Sequence, residues 1–243
     1  MSRSVVASHA AFALAAVLLS SPSSHAGNPN AVKPSDYATT PVARYASMDG
    51  SACLQDLRSR GVPFSPVPSG AGVDTPVRML GSLHGVRLTQ LGRTPDEALN
   101  SDGGIADCRL VLALDDFAAK LSALGVVELG FLGAYRPDAS GNARPGERHP
   151  AGLAIDVAWW KRQDGRELNV LRDFQGRVGA VTCGPRAQPP RQQSAPAAQL
   201  RHLVCEAASD RLFNLVLTPN YNRDHHDHIH FEVRRNIDWI LVQ

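Results

Sequence analysis

The residue types best suited to chemistry crowd into Tyr221–Val233, which reads YNRDHHDHIHFEV. Four histidines and two aspartates lie between Asp224 and His230. Ile229, Phe231 and Val233 alternate with His228, His230 and Glu232, a period of two that predicts a strand with one apolar and one polar face. His228 and His230 then point to the same side, and Asp227 to the other unless the strand begins only after it. Two imidazoles side by side on a rigid strand make the beginning of a metal site. The plainer alternative is a solvated histidine-rich turn leading into an edge strand.

The missing ligands have a source upstream. In His149–Val157 (HPAGLAIDV), Leu153, Ile155 and Val157 alternate with Ala154, Asp156 and Ala158. This pattern predicts a second strand with its apolar side inward and Asp156 on the other face. Ala154 and Ala158 leave space above the carboxylate, and His149 reaches in from the preceding loop. An edge-strand aspartate facing water is the bland account. A hydrolytic zinc keeps three protein ligands and one open position, and His149, Asp156 and His230 supply such a set. Bound zinc lowers the pKa of its water toward ~7. A base and a cationic or hydrogen-bonding partner for the oxyanion complete that chemistry.

These strands need a scaffold, and 243 residues with 43% hydrophobic content suffice for one domain with a short extension. A net charge of +2 without a concentrated basic patch argues against nucleic-acid binding. Arg3, the apolar run Ala10–Leu19 and Ser24-His25-Ala26 have the layout of a secretory signal cut after Ala26. The run is too short for a permanent span, so no stable membrane insertion is expected after cleavage. An uncleaved anchor is the alternative. No cysteine follows the cut, which argues against a lipoprotein. Export to the periplasm or the exterior places the four cysteines in an oxidising space, where an even count favours disulfides. Of the three pairings, Cys53–Cys108 and Cys183–Cys205 join nearest neighbours and are preferred. No C-x-x-C pair supports a cysteine zinc site.

Residues 27–50, rich in Pro, Ala, Ser and Thr, are expected to be an extended linker or an arm on the domain, with the fold proper over 51–243. Ser51–Arg60 predicts a short helix stopped by Gly61, and Val73–Leu91 two brief strands. Asp107 caps the clearest helix, with Leu110, Leu114, Phe117, Ala118, Leu121 and Leu124 at helical spacing and Gly125 at its end. A strand follows over Val126–Tyr135. Val170–Val181 predicts an interrupted helix, Pro196–Ser209 a complete one, and Leu212–Leu217 a strand. The expected class is α+β: a small antiparallel sheet carrying the zinc site, with helices packed on its other face.

The segment His149-Pro-Ala-Gly152-Leu-Ala154-Ile-Asp156 resembles the S-x-H-x-x-G-x-A-x-D motif of bacterial zinc D-Ala-D-Ala carboxypeptidases and dipeptidases. His228-Ile-His230 resembles the H-x-H motif of the wider group, which includes lysostaphin-type endopeptidases and the murein endopeptidase. Asp224–Phe231 is especially similar to the last of these. Ala52–Phe64 and Pro219–Asn222 resemble the start and the Pro-Asn-Tyr-Asn segment of the extensin-like C-terminal domain. Together these likenesses cover residues 51–233.

The resemblance implies a monomeric zinc peptidase acting on peptidoglycan stem peptides or cross-links. It makes His149, Asp156 and His230 the ligands of one Zn2+ per chain, and Arg136 the contact to substrate or intermediate. The proton carrier is His228 first and Asp227 second. Two departures stand out: Glu147 replaces the motif's serine, and Gly70-Ala71-Gly72 replaces a Gly-Cys-Gly. His225 and His226 are read as rim residues, His84 and His202 as ordinary polar ones, and Tyr221 as a packing or cleft residue. From another class, a non-catalytic envelope protein would keep zinc for stability and bind wall peptide or glycan. A surface metal scavenger using residues 225–230 would take several ions per chain and depend little on Asp156.

Overall fold

A computed structural model describes residues 28–68, 72–137 and 148–243. The expected signal segment 1–26, Glu147, Gly70 and Ala71 lie outside them. The class is α+β, as expected, but the main sheet is neither small nor purely antiparallel. Among the described residues it has nine strands, in the order Ala31–Val32, Ile240–Val242, Leu215–Leu217, Ile229–Glu232, Ala154–Arg162, Val126–Gly133, Val86–Gln90 and Ser82–Leu83, with Glu167–Asn169 also paired to Ala154–Arg162. Val86–Gln90 and Val126–Gly133 run parallel because the chain between them crosses over through the helix Cys108–Ala123. The neighbours Ala154–Arg162 and Ile229–Glu232, which carry Asp156 and His230, are antiparallel, as expected. A second, three-stranded sheet joins Phe64–Pro66, Pro76–Met79 and Ile105–Asp107.

The helix Cys108–Ala123 fills one face of the main sheet. Asp107 caps it by accepting from Arg109 N, and Gly125 follows its end at φ 76°. Its Phe117 packs against Phe213 and Phe231 with ring centroids 5.9 and 5.2 Å apart. Phe231 and Ile229 point into this core, as do Ile155 and Val157, their cross-strand partners. The helix Ala195–Ser209, capped by Ser194 and carrying Pro196 in its first turn, buries Leu200, Leu203 and Val204. Apolar packing behind these two strands turns their alternate residues, Asp156 and His230, to the opposite face.

Two expectations are corrected. The stretch 27–50 is not merely a linker: Pro41–Ser47 is a helix capped by Thr40, with Val42 and Tyr45 wholly buried in the core. Val42, Tyr45 and Ala46 share one helical face at i, i+3 and i+4. The helix expected over Val170–Val181 stops at Asp173. Beyond it, Gly179 takes φ 89° and donates its backbone N–H to Asn220 O at 2.7 Å, while Gly176 abuts the Asn220 side chain, where a Cβ would clash.

Both expected disulfides form, Cys53–Cys108 and Cys183–Cys205. Among the described residues no helix is long and apolar enough to cross a membrane.

Candidate metal centre

Asp156 sits mid-strand, facing His230 on one side and Gly133 on the other. His149 opens a short turn, His149–Ala151, that precedes this strand. Gly152 ends the turn in the left-handed region at φ 65°, and a Cβ there would press on the backbone N of Asp107 at 2.8 Å. Only glycine satisfies both demands. Arg148, immediately before His149, holds φ 57° and ψ −148°, a region that costs a non-glycine residue strain.

The turn aims His149 at Asp156, with Nε2 3.2 Å from Oδ1, while Nδ1 lies 2.6 Å from Ala134 O. A carbonyl oxygen only accepts, so Nδ1 carries the proton in the neutral ring and Nε2 presents its lone pair to the carboxylate. His230 Nδ1 stands 2.9 Å from the same Oδ1, and its Nε2 3.2 Å from Glu232 Oε2. All three residues are buried, and one ligand atom from each lies within 4.8 Å of the other two. Two imidazoles and a carboxylate that converge in this way form a group able to hold a metal ion.

The three groups are strongly coupled to one another and to their neighbours. Burial alone would raise the Asp156 carboxyl, but hydrogen bonds and charge from His149 and His230 hold it well below the usual carboxylate range. Burial likewise opposes charge on Glu232, yet His230 and then Arg234 keep that carboxyl low. His230, against the effect of its burial, is pushed up to about 9 by Asp156 and Glu232.

The other expected site residues gather here too. Half-exposed Arg136 donates from a guanidinium NH2 to Asp156 Oδ2 at 2.7 Å. His228 Nε2 lies 3.5 Å from Asp156 Oδ1, and its Nδ1 2.8 Å from Asp227 Oδ1. The strand begins only at Ile229, so alternation does not bind Asp227, and both residues line the cleft. His225 is half-buried between Tyr221 and His228, with ring centroids 5.3 and 5.0 Å away. Burial, then the neighbouring His230 and His228, push its imidazole down to about 4. His226 is exposed on the rim. His84 pairs with Asp115 at 3.0 Å, and His202 lies 3.7 Å from Glu206, both outside the cleft.

Sequence reasoning placed Glu232 on the polar face but gave it no task, and it overlooked Ala134 O. A glutamate two residues beyond a candidate ligand on one strand face was the available signal for the first. A backbone carbonyl leaves none.

The cleft over these residues measures about 570 Å³. A hollow of about 650 Å³ beside the Cys183–Cys205 disulfide is more apolar and contains no comparable cluster of ligating groups among the described residues.

Residues 51–241 match the family described as Extensin-like protein C-terminus. The chain belongs to this family. No curated protein and no solved structure matches it significantly. The extensin-like match holds all three residues of the candidate metal group and both disulfides, and it begins just after the helix Pro41–Ser47.

Proposed function

We propose that this extensin-like domain is a zinc-dependent peptidase of the cell envelope, a member of the wider zinc D-Ala-D-Ala peptidase group that hydrolyses peptide bonds in peptidoglycan stem peptides or cross-links. One observation carries the proposal: His149 Nε2 and His230 Nδ1 converge on the same Asp156 carboxylate oxygen, at 3.2 and 2.9 Å. Two histidines and one carboxylate converging in this way are a set that zinc takes at hydrolytic sites. Zinc held there supplies a Lewis acid that polarises a carbonyl and lowers the pKa of a coordinated water toward ~7.

The chain's own groups supply the rest. Ala134 O and Glu232 fix the rings of His149 and His230, as outer hydrogen bonds do at metal sites. Arg136 reaches the cleft with a planar set of N–H donors, suited to orienting the substrate and holding its carbonyl oxygen as negative charge develops. His228 presents Nε2 to the cleft, accepts a proton there and passes it to the departing amine. Asp227 orients the His228 ring through Nδ1, and is second choice as proton carrier. Two disulfides suit an oxidising compartment such as the periplasm, where peptidoglycan peptides are at hand.

Digestion of purified muropeptides, read by product mass, tests the proposal. New products that vanish with a chelator and return with zinc are expected. Their masses separate removal of a terminal residue from opening of a cross-link. Zinc retained without products, under conditions where a related enzyme works, would favour a non-catalytic wall-binding protein.

A further inference from the structure

Past Asp156 the strand Ala154–Arg162 carries two adjacent tryptophans with opposite fates. Trp160 is wholly buried, in a cross-strand row with Leu129 and Leu168. Trp159 belongs to the opposite face and is partly exposed. Its row runs Asn169, Trp159, Gly130, Thr89 across four strands. The next row alternates in charge: Glu167, Lys161, Glu128, Arg87. A Cβ on Gly130 would overlap Cε2, Nε1 and Cζ2 of Trp159, so the indole lies directly over the glycine. The indole is thus a large, partly exposed ring beside a charged row, outside the hydrophobic core clusters.

We infer that Trp159 is a stacking platform for a sugar ring of a β-linked N-acetylglucosamine-type polymer, which it holds beside the metal cleft. A pyranose offers one face of outward C–H bonds, which suits the negative face of the indole quadrupole. Its rim of hydroxyl and amide groups needs donors and acceptors around the ring. Exposed Lys161 offers an ammonium from the next row, and Arg87 a guanidinium that is 64% exposed while paired to Glu128 at 2.7 Å; Asn169 and Thr89, in the Trp159 row, also bond Glu167 and Glu128. A protein partner would call for a contiguous apolar patch instead. The platform is also close to the cleft: the register shift between Gly130 and Phe131 leaves Ala158 as an extra residue and brings Trp159 to the Asp156 face, three residues or about 10 Å along the strand, and exposed Leu132, which lines the cleft, lies on the neighbouring strand. Peptidoglycan as the polymer rests on the function proposed above. The stacking does not.

The test titrates chitotetraose and peptide-stripped peptidoglycan strands separately into 15N-labelled protein, with and without chelator. Saturable shifts of the Trp159 indole N–H, unaffected by chelator, are expected with the stripped strands. Trp159→Leu, which keeps an apolar cover over Gly130, should bind at least tenfold more weakly, and Trp159→Phe should retain most of the affinity. Lys161→Ala, an exposed change that spares the fold, should weaken binding several-fold. Absence of saturable binding in the wild-type protein overturns the inference, as does a folded Trp159→Leu that binds like wild type. Binding of chitotetraose alone overturns the wall polymer as the source. Muropeptide cleavage without glycan binding would sink the platform and leave the peptidase standing. Glycan binding retained in an Asp156→Asn variant without hydrolysis would support the platform by itself.

Discussion

Asp156 and His230 are direct cross-strand partners, with His230 Nδ1 2.9 Å from Asp156 Oδ1. The register that pairs them also pairs Ile155 with Phe231 and Val157 with Ile229 on the core side. One shift of that register would turn the core residues to the cleft side and set Asp156 and His230 in the core. Core packing therefore holds Asp156 and His230 in place, and only His149 depends on a turn.

Asp156→Asn and His149→Ala should each abolish tight zinc binding, lowering affinity at least ~100-fold, and remove hydrolysis with it. Asparagine keeps the shape but loses the charge that balances the ion. Competition with a chromophoric chelator measures the affinity. A variant that retains wild-type affinity would remove that residue from the site.

His228→Ala should leave zinc in place and slow turnover by ~10²–10⁴-fold, the usual worth of a positioned proton carrier. Asp227→Asn, which only loosens the His228 ring, should cost less, ~10–100-fold. Steady-state kinetics on metal-loaded protein distinguish the two. A fully active His228→Ala would move the proton to Asp227.

Both strands, their apolar sides and the shared face of Asp156 and His230 were legible because alternation fixes which side chains share a face; His149, on a turn, was expected only to reach in from the loop before Asp156. Arg136 and the pair Asp227–His228 came through resemblance, and the geometry now places them at the cleft. The mixed sheet was not legible, since strand order depends on crossovers that no local pattern records. Pro41–Ser47 was obscured by composition, its buried face comprising only Val42, Tyr45 and Ala46. The helix expected at Val170–Val181 lost to tertiary bonding, because Gly179 and Gly176 serve Asn220.

Glu232→Gln should weaken zinc binding by ~10–100-fold without unfolding the protein. The carboxylate fixes His230 through Nε2, and an amide does so more weakly. Affinity unchanged in a folded variant would show that Glu232 plays no part in holding the ligand.

Metal loading should release protons. His230 is pushed up to about 9, so in the metal-free protein it is protonated at pH 7, and ligation through Nδ1 must expel that proton. Zinc affinity should therefore climb with pH, approaching tenfold per unit, and level off near 9. Because this folded-state pKa is raised, the imidazolium stabilises the metal-free fold fully below the ordinary histidine value of ~6.5, and that contribution disappears as pH rises through about 9. Calorimetry in buffers of different ionisation enthalpy counts the protons; zero release would refute the assignment.

Arg148→Gly should stabilise the fold by about 1 kcal/mol, the strain relieved at φ 57° exceeding the added chain entropy of glycine. Thermal or denaturant unfolding with metal absent reads this directly. A loss of stability would mean that the Arg148 side chain contributes more than its backbone costs.

The most direct test of the central claim is zinc content and muropeptide digestion measured on one sample of the exported protein. Zinc near one per chain, with new products that disappear in Asp156→Asn, is the predicted result. Several ions per chain that survive Asp156→Asn, or no metal and no products, would contradict it.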